Sequence, residues 1–143
     1  VWCSTMALNG LIGAGVPQDW TTHMIGHEIT ALTGLDHAKT LAVIQIANWK
    51  IRRTLKREKL VQYAERVWDI REGDDDARID LAIEKTENFF NSLGMATRLC
   101  DYDIGADIVD KVVAALEKHG MTQLSEHRDV TLDVSRKMLE AAL

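Results

Sequence analysis

Gly34-Leu35-Asp36-His37-Ala38-Lys39-Thr40-Leu41-Ala42-Val43-Ile44-Gln45-Ile46-Ala47-Asn48-Trp49 is apolar on most sides of a helical wheel from His37 onward. A helix of that character must find neighbours all round, so the stretch predicts a central, buried helix. Val43, Ile44 and Ile46 are β-branched, but the run is too long for a strand and does not alternate. Gly34 stands where the preceding helix has to stop, in the position that accepts positive φ. Asp36 offers a short oxygen-bearing side chain as N-cap of the next helix.

Working upstream, Pro17 is the only proline and biases Val16 away from the helical region, which sets a boundary. Asp19, with Thr21 and Thr22 behind it, forms an N-cap region for a helix running from about Trp20 to Thr33. The first segment, to about Asn9, reads as helix and runs into Gly10, Gly13 and Gly15. Those glycines either loosen the helix end or let another backbone approach closely. Val1-Trp2-Cys3-Ser4-Thr5-Met6 is already in helical register and lacks an initiator Met, so the expectation is a fragment truncated upstream of residue 1.

Downstream, the basic run Lys50, Arg52, Arg53, Lys56, Arg57 and Lys59 reads as a solvated helix end or loop. An amphipathic helix follows through Leu60, Tyr63, Ala64 and Trp68. Asp74, Asp75 and Asp76 lie near the start of the next helix, where the macrodipole favours carboxylates. That helix carries Ile79, Ala82, Ile83, Thr86 and Phe90 and ends at Gly94. Met95 to Gly105 is an irregular link. Ile108, Val109, Val112 and Leu116 mark another amphipathic helix, closed by Lys118-His119-Gly120, with His119 as a cation at the C-terminus. His127 falls in a polar surface loop, and Thr131 or Asp133 starts a last helix, Val134 to about Ala142. No strand is expected: the class is all-α, a multi-helix bundle in one domain over residues 1–143.

With 143 residues, a net charge of −5 and basic residues scattered among acids, the chain lacks the footprint of a nucleic-acid partner. No run approaches the roughly 18 apolar residues of a membrane span. Cys3 and Cys100 are far apart without C-x-x-C spacing, which suits a cytoplasmic protein with reduced thiols.

If the chain does chemistry, the expected place is the amino side of the opening stretch, where His23, His27 and His37 fall close together. His23 and His27 are neighbours on one helix face and could chelate a metal. His23 and His37 would be ~21 Å apart along a straight helix, so they meet only if the chain reverses at Gly34-Leu35. Asp19, Glu28, Asp36 and His27 are the further donors at hand, and spacing alone selects none of them. The alternative is that these are satisfied core or helix-end histidines.

Asn9-Gly10-Leu11-Ile12-Gly13-Ala14-Gly15-Val16-Pro17-Gln18-Asp19-Trp20, His23-Met24-Ile25-Gly26-His27-Glu28 and Gly34-Leu35-Asp36-His37 together resemble the iron-containing alcohol dehydrogenases. Within that family the likeness is to the NADPH-dependent butanol dehydrogenase and broad-specificity aldehyde reductase branch. It extends through Tyr63-Ala64-Glu65-Arg66-Val67-Trp68, His119-Gly120-Met121-Thr122-Gln123-Leu124 and Thr131-Leu132-Asp133-Val134-Ser135-Arg136. The resemblance implies the helical C-terminal domain of a dehydroquinate synthase-like fold. It implies that His23 and His37 are two ligands of a divalent metal, iron or zinc, completed by an Asp and a His upstream of Val1. His27 is implied to face the substrate and handle the proton. NADP(H) would be bound mainly by a missing N-terminal domain, the substrate would be a small aldehyde or alcohol, and the parent would be a homodimer. The isolated chain is expected to be inactive. The rival expectations are a stand-alone helical metal hydrolase and a non-catalytic helical interaction module.

Overall fold

The computed structural model describes residues 1–143. Seven α-helices follow one another: α1 Trp2–Leu8, α2 Thr21–Thr33, α3 His37–Ile51, α4 Arg57–Trp68, α5 Asp75–Ser92, α6 Asp107–Lys118 and α7 Leu132–Ala141. A 3-10 turn at Leu99–Tyr102 interrupts the link expected to be irregular, and its Leu99 is fully buried. The expectation of no strand is corrected by an antiparallel pair, β1 Gln123–Leu124 and β2 Val130–Thr131. Two residues per strand are too few to show alternation in sequence.

The long helix is central, as its composition demands. Val43, Ile44 and Ala47 of α3 join the main core with Ile25 and Ile29 of α2, Val112 and Leu116 of α6, and Met138 and Leu139 of α7. Ile46, on another side of α3, packs with Leu60 of α4 and with Ile79 and Ile83 of α5. One helix thus serves two clusters, which is why it is apolar all round. By contrast, α1 buries no residue, and Trp2, Leu8, Leu11, Ile12 and Val16 are all exposed. No helix is long and apolar enough to cross a membrane.

The helix ends follow local chemistry. Gly34 ends α2 at φ +75°, and its N–H bonds the carbonyl of Thr30. The Asp74 carboxylate accepts from the Ala77 N–H at the start of α5, and Thr131 accepts from Val134 at the start of α7. Asp36 departs from expectation. It occupies the N-cap position of α3, but its side chain makes no cap hydrogen bond and pairs with Lys39 at 3.0 Å. The backbone carbonyl of Asp36 alone accepts from Lys39 and Thr40.

Where α2 crosses α3, Gly26 removes the side chain that would keep them apart. A Cβ there would lie 3.1 Å from Thr40 Oγ1 and 3.4 Å from Leu41 Cδ2. Thr40 cannot easily yield, because its hydroxyl donates to the carbonyl of His37 at 2.9 Å and lies 3.3 Å from Thr30 Oγ1. A mid-helix glycine costs about 1 kcal/mol relative to alanine, and close approach is the gain that offsets it.

The basic run after α3 is not all solvated, which corrects the sequence reading. Arg52 is 3% exposed. Its Nη2 donates to both oxygens of Asp129, at 2.6 and 2.7 Å, and its Nη1 reaches Asp19 Oδ2 at 3.5 Å. Lys56 joins Asp19 at 2.7 Å and Glu126 at 3.3 Å, and the Ser125 hydroxyl donates to Asp129. Arg53 and Arg57, in contrast, make peripheral ion pairs with Asp76. The inner cluster ties the entry to α2, the end of α3 and the loop before β2 into one unit.

Burial works to raise the pKa of Asp19, but hydrogen bonds from Lys56 and Thr21 outweigh it and hold the carboxyl below its ordinary range. Burial likewise opposes ionisation of Asp129, and Ser125 and Arg52 overcome it.

Two outcomes test this packing. Arg52→Ala leaves Asp129 without its buried cation, while Asp19 keeps Lys56, and should lower the unfolding free energy by about 3–5 kcal/mol in urea titrations. Since both carboxyls have depressed folded pKa values, their contribution is complete above the unfolded value of about 3.9 and is lost as pH falls through the lower folded values. Melting temperature should therefore fall below about pH 4, and less steeply in Arg52→Ala. Gly26→Val should cost about 1–3 kcal/mol through overpacking. Gly26→Ala should cost less, because its helix-propensity gain of up to about 1 kcal/mol offsets part of the clash.

Candidate metal and carbonyl site

Helix α2 presents His23 and His27 on successive turns, and the reversal at Gly34 brings the first residue of α3, His37, back beside them. The ring centres of His23 and His37 lie 5.3 Å apart despite the intervening residues. His27 and His37 are 4.4 Å apart, and His23 and His27 are 6.2 Å apart. All three histidines singled out by sequence therefore converge. His127 lies exposed in its loop, and His119 is engaged elsewhere.

Two imidazoles bound to one tetrahedral cation, each with its nitrogen at ~2.1 Å, have ring centres about 5 Å apart. The His23 and His37 pair meets that separation. The i, i+4 pair His23 and His27 is wider, and His27 stacks obliquely on His37. Nδ1 of His37 is buried and has no hydrogen-bond partner, so this ring carries a nitrogen not committed to the protein. Such a nitrogen fits a metal donor, provided it is unprotonated. Burial first, and then the charge of neighbouring His37 and His27, holds His23 below its ordinary pKa. Burial and then His27 do the same to His37. Both shifts favour the neutral ring, the form with a lone pair to offer.

The carboxylates that sequence offered as further donors are held elsewhere. Asp19 is bound by Lys56 and Arg52, and, one residue before the N-cap Trp20, its Oδ1 accepts from the Thr21 N–H at 2.8 Å. Asp36 pairs with Lys39. Glu28, on the buried side of α2, meets His119 Nδ1 at 2.7 Å. His119 was expected to act simply as a helix-end cation; it instead joins the end of α6 to α2. No group of three or more His, Cys, Asp or Glu side chains in the chain is arranged to hold a metal ion. A self-sufficient hydrolase centre using Asp36 and His37 is therefore not supported by this arrangement.

A cleft of about 470 Å³ opens beside His23, bordered by Ala7, Leu8, Gln18, Trp20 and Leu41 among others. Its walls are mixed, apolar from the side chains of α1 and Leu41, polar at Gln18 and His23. Trp20 stands edge-on to His23, with ring centres 5.0 Å apart. Sequence reasoning did not single out Gly26 or Trp20 for the site. A glycine inside an otherwise strong helical pattern was the available signal for the first. Nothing in the spacing distinguishes Trp20 from an ordinary residue at a helix start.

The Fe-containing alcohol dehydrogenase family, C-terminal region, is the family model that matches, over residues 2–143. The chain is 60% identical over 142 residues to the NADPH-dependent aldehyde reductase YqhD of Escherichia coli K12, covering 99% of this chain and 37% of that protein. It is 39% identical over 116 residues to the probable NADH-dependent butanol dehydrogenase 1 of Bacillus subtilis, covering 78% of this chain and 30% of the relative. Among solved structures, that of E. coli K-12 YqhD matches with a TM-score of 0.97 at 60% identity, over 99% of this chain and 36% of that one. The NADH-dependent butanol dehydrogenase A of Thermotoga maritima matches with a TM-score of 0.89 at 25% identity, over 99% and 37% of the respective chains. The chain thus spans little more than a third of the relatives' length. With its helical fold and three converging histidines, it belongs to the iron-containing alcohol dehydrogenase family, whose C-terminal region it represents.

Proposed function

We propose that this chain is the helical, metal-holding part of an NADPH-linked aldehyde reductase or alcohol dehydrogenase, with His23 and His37 as two of the metal's ligands. The observation that carries this reading is the 5.3 Å approach of the two rings across the Gly34 turn. Their depressed pKa values support it, since neutral imidazole is the ligating form. The engagement of Asp19 with Lys56, Asp36 with Lys39 and Glu28 with the His119 ring supports a ligand set completed from outside these residues. The apolar side chains exposed along α1 support a surface shared with the remainder of such a protein.

When bound, a divalent metal such as iron or zinc supplies Lewis-acid polarisation of a carbonyl oxygen. His23 and His37, whose rings approach from two different helices, would hold that metal. His27, exposed and 4.4 Å from the His37 ring, is in this reading the residue that delivers a proton from a ring nitrogen to the oxygen that becomes the alcohol hydroxyl. The hydride comes from NADPH, held mainly by residues outside this chain, so that one aldehyde, one NADPH and one proton give one alcohol and NADP⁺. Small aldehydes and alcohols are the substrates, and the complete enzyme is a homodimer. Free Cys3 and Cys100 fit a cytoplasmic location.

In the complete enzyme, His23→Ala and His37→Ala should each lose most of the bound metal by elemental analysis. His27→Ala should keep its metal and lose about 10²–10⁴-fold in kcat. Full metal occupancy in His23→Ala would overturn the assignment. The isolated 143-residue chain should show no aldehyde-dependent oxidation of NADPH; turnover there would refute the division of labour.

A further inference from the structure

The three glycines before α2 do different things. Gly10 and Gly15 have φ of +83° and +74° and open space where a Cβ would stand, so their role is conformational. Gly13 has no positive φ. A Cβ on it would lie 1.8 Å from Gln18 Nε2 and 2.6 Å from Gln18 Cδ. Its role is room: the amide of Gln18 occupies the space a side chain would take.

That amide is in turn connected to the site. Gln18 Oε1 accepts from the indole Nε1–H of Trp20 at 3.2 Å. The indole lies edge-on to the His23 ring, at 5.0 Å and 66°. On another side His23 meets His37 edge-on, at 5.3 Å and 61°. The orientation of the His23 imidazole thus rests on aromatic packing between Trp20 and His37. Trp20 is 40% exposed, so its own neighbours do not immobilise it. The hydrogen bond to Gln18 is what restrains the indole, and Gly13 is what admits the Gln18 amide. Gln18, Trp20 and His23 all border the same cleft, so the restraint acts on the wall that an approaching ligand meets.

We propose that Gly13, Gln18 and Trp20 are positioning residues that together fix the orientation of the His23 imidazole; its bearing on metal rests on the reading of His23 as a ligand. An imidazole held in one rotamer loses less freedom on binding a cation than a mobile one, and such supporting contacts typically change metal affinity by about 10–100-fold. Gly13→Ala would displace the flexible end of Gln18, the nearest side chain to the added methyl, and leaves Trp20 and His23 themselves unsubstituted. Trp20→Leu removes the ring edge itself. Trp20→Phe keeps an aromatic edge and loses the hydrogen bond.

The first arm of the test uses the 143-residue chain, labelled at histidine rings and indole nitrogens, and reads NMR shifts and ring order. Trp20→Leu should shift the His23 ring resonances and raise ring mobility while leaving those of His119, paired with Glu28, unmoved. Gly13→Ala and Gln18→Ala should shift the Trp20 indole N–H and also loosen the His23 ring. Trp20→Phe should restore part of the order lost in Trp20→Leu. These variants alter an exposed segment, and unmoved His119 resonances verify that the fold persists. An unchanged Trp20 indole and His23 ring in Gly13→Ala and Gln18→Ala would overturn the proposal.

The second arm titrates zinc into the metal-free complete enzyme. Gly13→Ala and Trp20→Leu should each weaken binding by about tenfold or more; unchanged affinity in both would refute the proposed effect on metal. Binding untouched by His23→Ala would instead refute the ligand reading itself, and with it the clause on metal, while the NMR arm still decides whether the three residues position the ring.

Discussion

The separation of α2 from α3 is the constraint on which the site depends. It is set at one end by the left-handed backbone of Gly34 and in the middle by the missing side chain of Gly26. Between those points the helices are close enough for Thr40 to sit under Gly26 while bonding the carbonyl of His37. The same hydroxyl therefore takes part in helix packing and in the start of α3, where the histidine stands. His23 has no sequence proximity to His37 and acquires spatial proximity only through this contact. The burial of α3 against α2 on one side and α5 on another leaves the helix little freedom to shift.

Charge is distributed to match. Each carboxylate near the three imidazoles has a partner of its own: Lys56 and Arg52 for Asp19, Lys39 for Asp36, and the His119 ring across the helix interface for Glu28. A free carboxylate against His23 or His37 would favour the imidazolium and hide the lone pair. Keeping the acids engaged leaves burial and mutual repulsion to act on the rings, and both push towards the neutral form.

Most helices were legible from periodicity, and their ends from Gly34, Asp74, Gly94, Gly120 and Thr131, because these signals are local. The juxtaposition of His23 and His37 was also legible as a possibility, since a glycine followed by an acid between two helical patterns implies a reversal. What remained hidden depends on distant partners. Arg52 looked like one cation in a solvated run; its burial follows from Asp129, 77 residues away. His119 looked like a helix-end charge; its partner Glu28 lies 91 residues away. The β1–β2 pair is too short to carry a pattern, and the buried Leu99 is set in a 3-10 turn rather than in an amphipathic helix. The donors beyond His23 and His37 could be discounted only after seeing where Asp19, Glu28 and Asp36 point.

The Arg52 cluster also has a meaning for biosynthesis. The guanidinium joins Asp19 to Asp129, so the segment that leads into α2 is fastened by a residue made much later in translation. A nascent chain that has emerged as far as α5 already contains His23, His27 and His37 and the turn between them. It still lacks Asp129, the nearer of the two carboxylates on Arg52, and the residues of α6 and α7 that cover the main core. The imidazoles can therefore meet early but are held firmly only late, so that for part of its synthesis the chain carries three uncommitted imidazoles on an unfinished scaffold.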